Sequence, residues 1–348
     1  MADRIKVRSP YIVDISGVVG DSTKVEIFLW NDPASVPVSP NYTLEKDIPT
    51  TAVGKAIYDI SPYVRKFIAH SVYVDITTDT ASPVGEYCYC NIKSYKNGIL
   101  QTGGGSYTEE LICFDGYGYF VDGQNPSQSN YLMTEGTYLI GDTADFGGIY
   151  YCTEGTAGTH SVLYTGLSSG STVNFNITNA VGYLPYVYTP LTANESIKLE
   201  FKLGGVTQAT YIFKPVCEPK YTTINCDFVN KYGAWQRLVF FKVSQDSMEM
   251  NNTEYNLMSD DTDYSLTENR RKVFNVNGNE SIKCNTGFVP ETYKEVIRQL
   301  MLSETIRIDD QPVILKTKSV DLQKSINTNN INYEIEFAYA NPTINYIV

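Results

Sequence analysis

Histidine and tryptophan are nearly missing from this 348-residue chain, which holds two of each. The histidines, His70 and His160, fall in different expected domains, and neither has a sequence neighbour that suggests a catalytic triad. Long apolar runs are also missing. No window approaches 18 apolar residues, and the opening MADRIKVRSPYIVDISG has no apolar core of signal-peptide length. The expectation is a chain made in the cytosol that stays soluble, with no membrane partner. On that expectation the sequons at Asn41, Asn176, Asn194, Asn251 and Asn279 carry no glycan. Basic residues are in short supply, 27 Lys and Arg against 39 Asp and Glu, for a formal charge of −12. Phosphate neutralisation needs clustered Lys and Arg, so direct nucleic-acid binding is not expected. The seven cysteines, Cys88, Cys90, Cys113, Cys152, Cys217, Cys226 and Cys284, are odd in number and scattered. That is unlike the dense pairs of small secreted domains, and they read as reduced thiols.

What is abundant is tyrosine, 28 residues. Tyrosine favours strands and is enriched where surfaces meet, so the excess suits a β-rich protein with large contact areas. The expected fold is mainly β in three parts. Residues 1–100 show short strands punctuated by Pro, Asn, Asp and Gly, the pattern of an immunoglobulin- or fibronectin-like sandwich. Within it, YDISPYVRKFIAH predicts a short helix capped by Ser61, started by Pro62 and packed through Val64, Phe67 and Ile68. Residues 101–215 form a Gly- and Tyr-rich β domain with many tight turns and no helical period. Pro215 and Pro219, bracketing Cys217, make a linker.

Residues 216–348 read as an α+β domain with one helix on an antiparallel sheet. TTINCDFVNKYGAWQRLVFFKVS reads as a strand, a turn and a buried strand. Asn277-Gly278 predicts the tight turn of a hairpin. Pro290 occupies the first helical position, and Tyr293, Val296, Ile297, Leu300 and Met301 then form one apolar stripe. The pattern changes to strand alternation at Ile306, Ile308, Val313 and Leu315, around a turn at DDQP. Two long paired strands close the chain, with Ile331, Tyr333, Ile335, Phe337 and Tyr339 on one face.

The motifs for chemistry are weak. Cys88 and Cys90 point to one face of a strand but lack the further ligands of a zinc site, so they read as core thiols. QTGGGSY lacks the Lys-Ser/Thr ending of a phosphate loop, and GYGYFVDG fails as a dinucleotide fingerprint. SDDTDYSLTENRRK starts like a calcium loop, but Leu266 stands where its glycine belongs and Lys272 where its glutamate belongs. Carboxylates for sugar hydrolysis exist at Glu109, Glu110, Asp115, Asp122, Asp142 and Asp145, and spacing alone does not bring two together. No catalytic, cofactor-binding or metal-binding residue is assigned, and the protein is not expected to be an enzyme.

The segments YDISPYVRKFI, FVNKYGAWQRLVFFKVS, YNLM, TGFVPETYKEVIRQLMLSE and INYEIEFAYA, in this order, resemble virion structural proteins of tailed bacteriophages that infect Bacteroidetes, crAss-like phages included. The resemblance implies a tail or tail-hub component in the virion, made in the bacterial host cytoplasm, whose partners are copies of itself and other virion proteins. It carries no catalytic residue. Linked β-domains rich in Tyr suit a subunit that assembles into a ring or tube. The residues expected at the subunit interface are Trp235, Arg270, Arg271, Tyr333 and Tyr339, with the 313–339 hairpin or its edge supplying a contact. The alternative reading is a host-glycan-binding adhesin, using the loops of 101–215 on a host-surface glycan, or a depolymerase of the phage tail.

Overall fold

The computed structural model describes residues 3–31, 36–49, 54–71, 76–101, 109–141, 147–154, 156–187, 195–216, 220–258, 267, 269–322 and 331–344. They form a mainly β protein whose sheets share cores across the expected domain borders.

The N-terminal part has two layers. One sheet runs in the order Asp3–Lys6, Glu109–Phe114, Tyr87–Lys96, Ser22–Trp30 and Tyr42–Asp47, with Ile99–Leu100 alongside Tyr87–Lys96. Ile12–Ser16 pairs separately with Lys55–Asp59. Alternate residues of both sheets, Ile15, Val25, Ile27, Tyr58, Cys90, Ile92 and Leu111 among them, meet in one buried core. The expected short helix is present as α1, Ser61–Arg65, and buries Val64 there, with Phe67 and Ile68 half-buried beside it. Ser61 is not its cap. Its hydroxyl donates to the Ser9 carbonyl at 2.8 Å and accepts the Tyr11 N–H at 2.7 Å, tying α1 to the first strands instead.

Two strands cross the expected borders. Glu109–Phe114 belongs to the N-terminal sheet, pairing in parallel with Asp3–Lys6. Thr80–Ala81 joins Val181–Pro185, which pairs in turn with Gly148–Cys152. The middle part is otherwise a five-stranded sheet in the order Gly136–Ile140, Val206–Pro215, Ile197–Leu203, His160–Gly166 and Thr172–Asn176, whose first pair is parallel.

The C-terminal sheet has seven strands, in the order Trp235–Phe240, Ile224–Val229, Ile306–Ile308, Gln311–Leu315, Glu334–Tyr339, Arg271–Asn285 and Gln245–Asn256. Across it lies α2, Tyr293–Met301, which buries Tyr293, Val296, Ile297 and Leu300. Each such side chain contributes roughly 1.5–3 kcal/mol by leaving water. Pro290 precedes the helix by one turn, and its carbonyl accepts the Tyr293 N–H at 3.0 Å. The helix does more than roof its own sheet. Tyr293 packs on Tyr138 of the middle sheet, and Gln299 donates to Thr134 Oγ1 at 3.0 Å. One continuous core therefore runs from Tyr131 to Phe337.

Candidate functional site

Asn277-Gly278 does not make a hairpin turn. Both residues lie inside one strand, Arg271–Asn285, and its partner is Gln245–Asn256. The irregularity that the dipeptide signals is a bulge. Asn251 faces Asn277 and Thr253 faces Phe274, so residues 275 and 276 oppose residue 252, and Asn275 takes the left-handed conformation at φ 53°. Gly278 lies against Met248, whose Cε would stand 2.3 Å from a Cβ at that position, and this exposed side chain is free to swing away.

The consequence is a long two-stranded arm. The return strand Arg271–Asn285 pairs with Glu334–Tyr339 only through its last residues, from Ser281 opposite Ala338 to Asn285 opposite Glu334. Thr343 N–H adds one bond to the Gly278 carbonyl at 3.1 Å. Residues 271 to 280 continue past the sheet, and at ~3.4 Å per residue the overhang is about 30 Å. All of the outward strand Gln245–Asn256 is exposed.

Register assigns the side chains to faces. Met248 and Met250 share a face with Ile282, a core residue, and with Asp246 and Glu280, so apolar and acidic side chains alternate along that face of the arm. On the opposite face Tyr255 meets Phe274 edge to face, with ring centroids 5.4 Å apart. Met248, Met250 and Phe274 are 59%, 61% and 50% exposed, and Val273, Val276, Leu257 and Met258 are exposed as well.

The residues expected at an interface are dispersed. Arg270 and Arg271 lie on the arm, where Arg271 pairs with Glu254 across the two strands. Tyr339 is half-buried at the end of Glu334–Tyr339. Trp235 and Tyr333 are core residues, 3% and 2% exposed, and neither offers a surface to a neighbour. The 313–339 hairpin is also displaced from its expected role. Gln311–Leu315 and Glu334–Tyr339 share only three register pairs and lie inside the sheet, whose end strands are the buried Trp235–Phe240 and the exposed Gln245–Asn256. The arm was legible only as alternation in SMEMNNTEYN, whose apolar positions are too few to stand out.

A second polar cluster joins the N- and C-terminal parts. Glu304 accepts from Arg8 at 3.0 Å and from Arg65, and Asp115 accepts from Arg65 Nε at 3.1 Å. His70 Nε2 lies 3.2 Å from the other Asp115 oxygen. His70 therefore has a carboxylate partner distant in sequence, and its ring stands 6.0 Å from that of Trp235, edge on. His160 is buried, and desolvation lowers its pKa.

Of the carboxylates considered for hydrolysis, Asp115 is engaged by Arg65 and His70, Asp122 accepts the Tyr119 N–H at 3.3 Å, and Glu110 is exposed on its strand. Asp142, Asp145 and the Glu109 side chain lie outside the described residues, as do Cys217 and most of the QTGGGSY and SDDTDYSLTENRRK loops. Cys88 and Cys90 are fully buried, Cys88 directly opposite Cys113, and burial raises the Cys113 pKa well above its ordinary value. The six described cysteines are free thiols. Among the described residues no group of three His, Cys, Asp or Glu could hold a metal ion, and no helix is long and apolar enough to cross a membrane.

No known family model matches the sequence, and no curated protein matches it at a significant level.

Proposed function

We propose that this chain is a structural subunit of a tailed-phage virion, placed in the tail or its hub, which builds a ring or tube from copies of itself. The observation that carries the reading is the arm formed by Gln245–Asn256 and Arg271–Asn285. An isolated two-stranded ribbon is marginal in water, and three or more strands with a buried face are needed for independent stability. This ribbon overhangs its sheet by about 30 Å and exposes Met248, Met250, Val273 and Phe274. Exposed apolar side chains on both faces of so thin a ribbon favour an interaction site. A neighbouring subunit would cover it.

The rest of the molecule suits that role. The middle and C-terminal parts share one core, and Glu304 ties the N-terminal layers to the C-terminal part, which gives the arm a stiff base. We read the N-terminal layers as an immunoglobulin-like sandwich, on the support of their face-to-face packing.

The test is the mass of the purified chain, by light scattering at micromolar concentration, together with negative-stain microscopy. Rings or tubes of identical copies are expected. A stable monomer at all concentrations overturns the reading.

A further inference from the structure

We infer that successive copies join their arms edge to edge, the outward strand of one copy pairing with the return strand of the next. This rests on the proposal that the chain assembles with itself, and it names the contact. Among the described residues, each arm has two unpaired strand edges. Gln245–Asn256 ends the seven-stranded sheet, and among the described residues no strand pairs with its far side. The return strand offers a second edge over residues 271 to 277, beyond the last bond from Thr343 and the pairs with Glu334–Tyr339. On each edge, alternate residues aim their N–H and C=O groups outward. Gln245–Asn256 is a long edge of 12 residues with neither Lys nor Pro, and its acidic residues oppose pairing with another acidic edge.

Charge selects which edges meet. The outward strand carries Asp246, Glu249 and Glu254 and no basic residue. The tip of the return strand carries Lys272 beside Arg271, which already pairs with Glu254 of its own arm. Pairing two outward strands would gather six carboxylates on one ribbon, whereas outward strand against return strand sets acidic beside basic. Those are two different surfaces, so the contact is head to tail, and a head-to-tail contact that closes by rotation makes a ring. With all arms pointing one way, the new pair is antiparallel, as within the arm itself. The arms would then form one continuous sheet around the ring.

The experiment works in trans. One variant is Lys272→Glu and the other is Glu249→Lys, and both keep the Arg271–Glu254 pair within the arm. Each alone weakens the attraction between the two edges, and assembly is expected to weaken severalfold, read as the concentration at which half the chains are monomeric. Mixed in equal amounts, the two variants offer each other opposite charges, and assemblies containing both are expected to return. Thermal unfolding of each variant shows whether the body is intact. A disulfide between Glu254→Cys in one copy and Lys272→Cys in another, each in a Cys217→Ser background, reports the same contact without charge reversal. If wild type assembles while both charge variants assemble equally well, or if mixing rescues nothing and no cross-link forms, the arm pairing is overturned and the assembly proposal stands. If wild type is monomeric, both fall.

Discussion

The backbone N–H of Leu139 donates to the phenol oxygen of Tyr293 at 2.6 Å, so the first residue of α2 is bonded to a strand of the middle sheet. Tyr293→Phe leaves that partly buried N–H without its acceptor and is expected to cost about 1 kcal/mol. Because the two parts share one core, urea unfolding of the wild type should show a single transition for middle and C-terminal probes. Two separated transitions would contradict the shared core.

Asp227 and Arg237 face each other on neighbouring strands and form a two-pronged ion pair at 2.8 and 3.0 Å, both side chains buried. Arg237→Ala strands a buried carboxylate and should destabilise by about 3–5 kcal/mol. Replacing both partners, as Asp227→Leu/Arg237→Met, should recover most of that loss. Chemical denaturation of the three variants checks the ranking.

Glu86 is buried, and desolvation pushes its pKa up against hydrogen bonds from Ser71 at 2.6 Å and Tyr183 at 2.8 Å. A carboxyl whose folded pKa is raised contributes stability in its protonated form, in full below its unfolded pKa. That contribution is lost as pH rises through the folded pKa. Glu86→Gln should therefore flatten the fall in Tm from the ordinary carboxylate range upward, with its largest gain over wild type at the alkaline end. An unchanged Tm–pH profile would contradict this.

Gly233 adopts φ 80°, and a Cβ on it would lie 2.6 Å from the Asp115 backbone nitrogen. The turn between Ile224–Val229 and Trp235–Phe240 is thus pressed against the end of Glu109–Phe114. Gly233→Ala adds a backbone clash to an unfavourable conformation and is expected to cost about 1–3 kcal/mol or more, read as a lowered Tm.

Local periodicity made several elements legible. The stripe of Tyr293, Val296, Ile297 and Leu300 forms α2 and is buried, and Ile306, Ile308 and Val313 point into the core around a turn at Asp309 and Asp310, both left-handed. Alternation put Ile331, Tyr333, Ile335 and Phe337 on one face, and that face is buried, including Tyr333, which was expected at a subunit interface. What was illegible depends on partners distant in the chain. The parallel pairs of Asp3–Lys6 with Glu109–Phe114 and of Gly136–Ile140 with Val206–Pro215 leave no local pattern. Asn277-Gly278 has the chemistry of a tight turn, but the chain continues through it as a strand, with a bulge at Asn275. Trp235 was expected at a subunit interface, yet it packs with Val229 and Ala234 in a core drawn from all three parts.

The arm is the centre of the functional account, and its removal is the most direct test. Met250 and Gly278 are opposite one another, so residues 251 to 277 can be replaced by a two-residue Asn-Gly turn that closes the shortened ribbon. The mass of this variant should be compared with that of the full chain by light scattering at matched concentrations. The account predicts rings or tubes for the full chain, and a folded monomer with a Tm close to wild type for the shortened one. Equal assembly by both chains would contradict it.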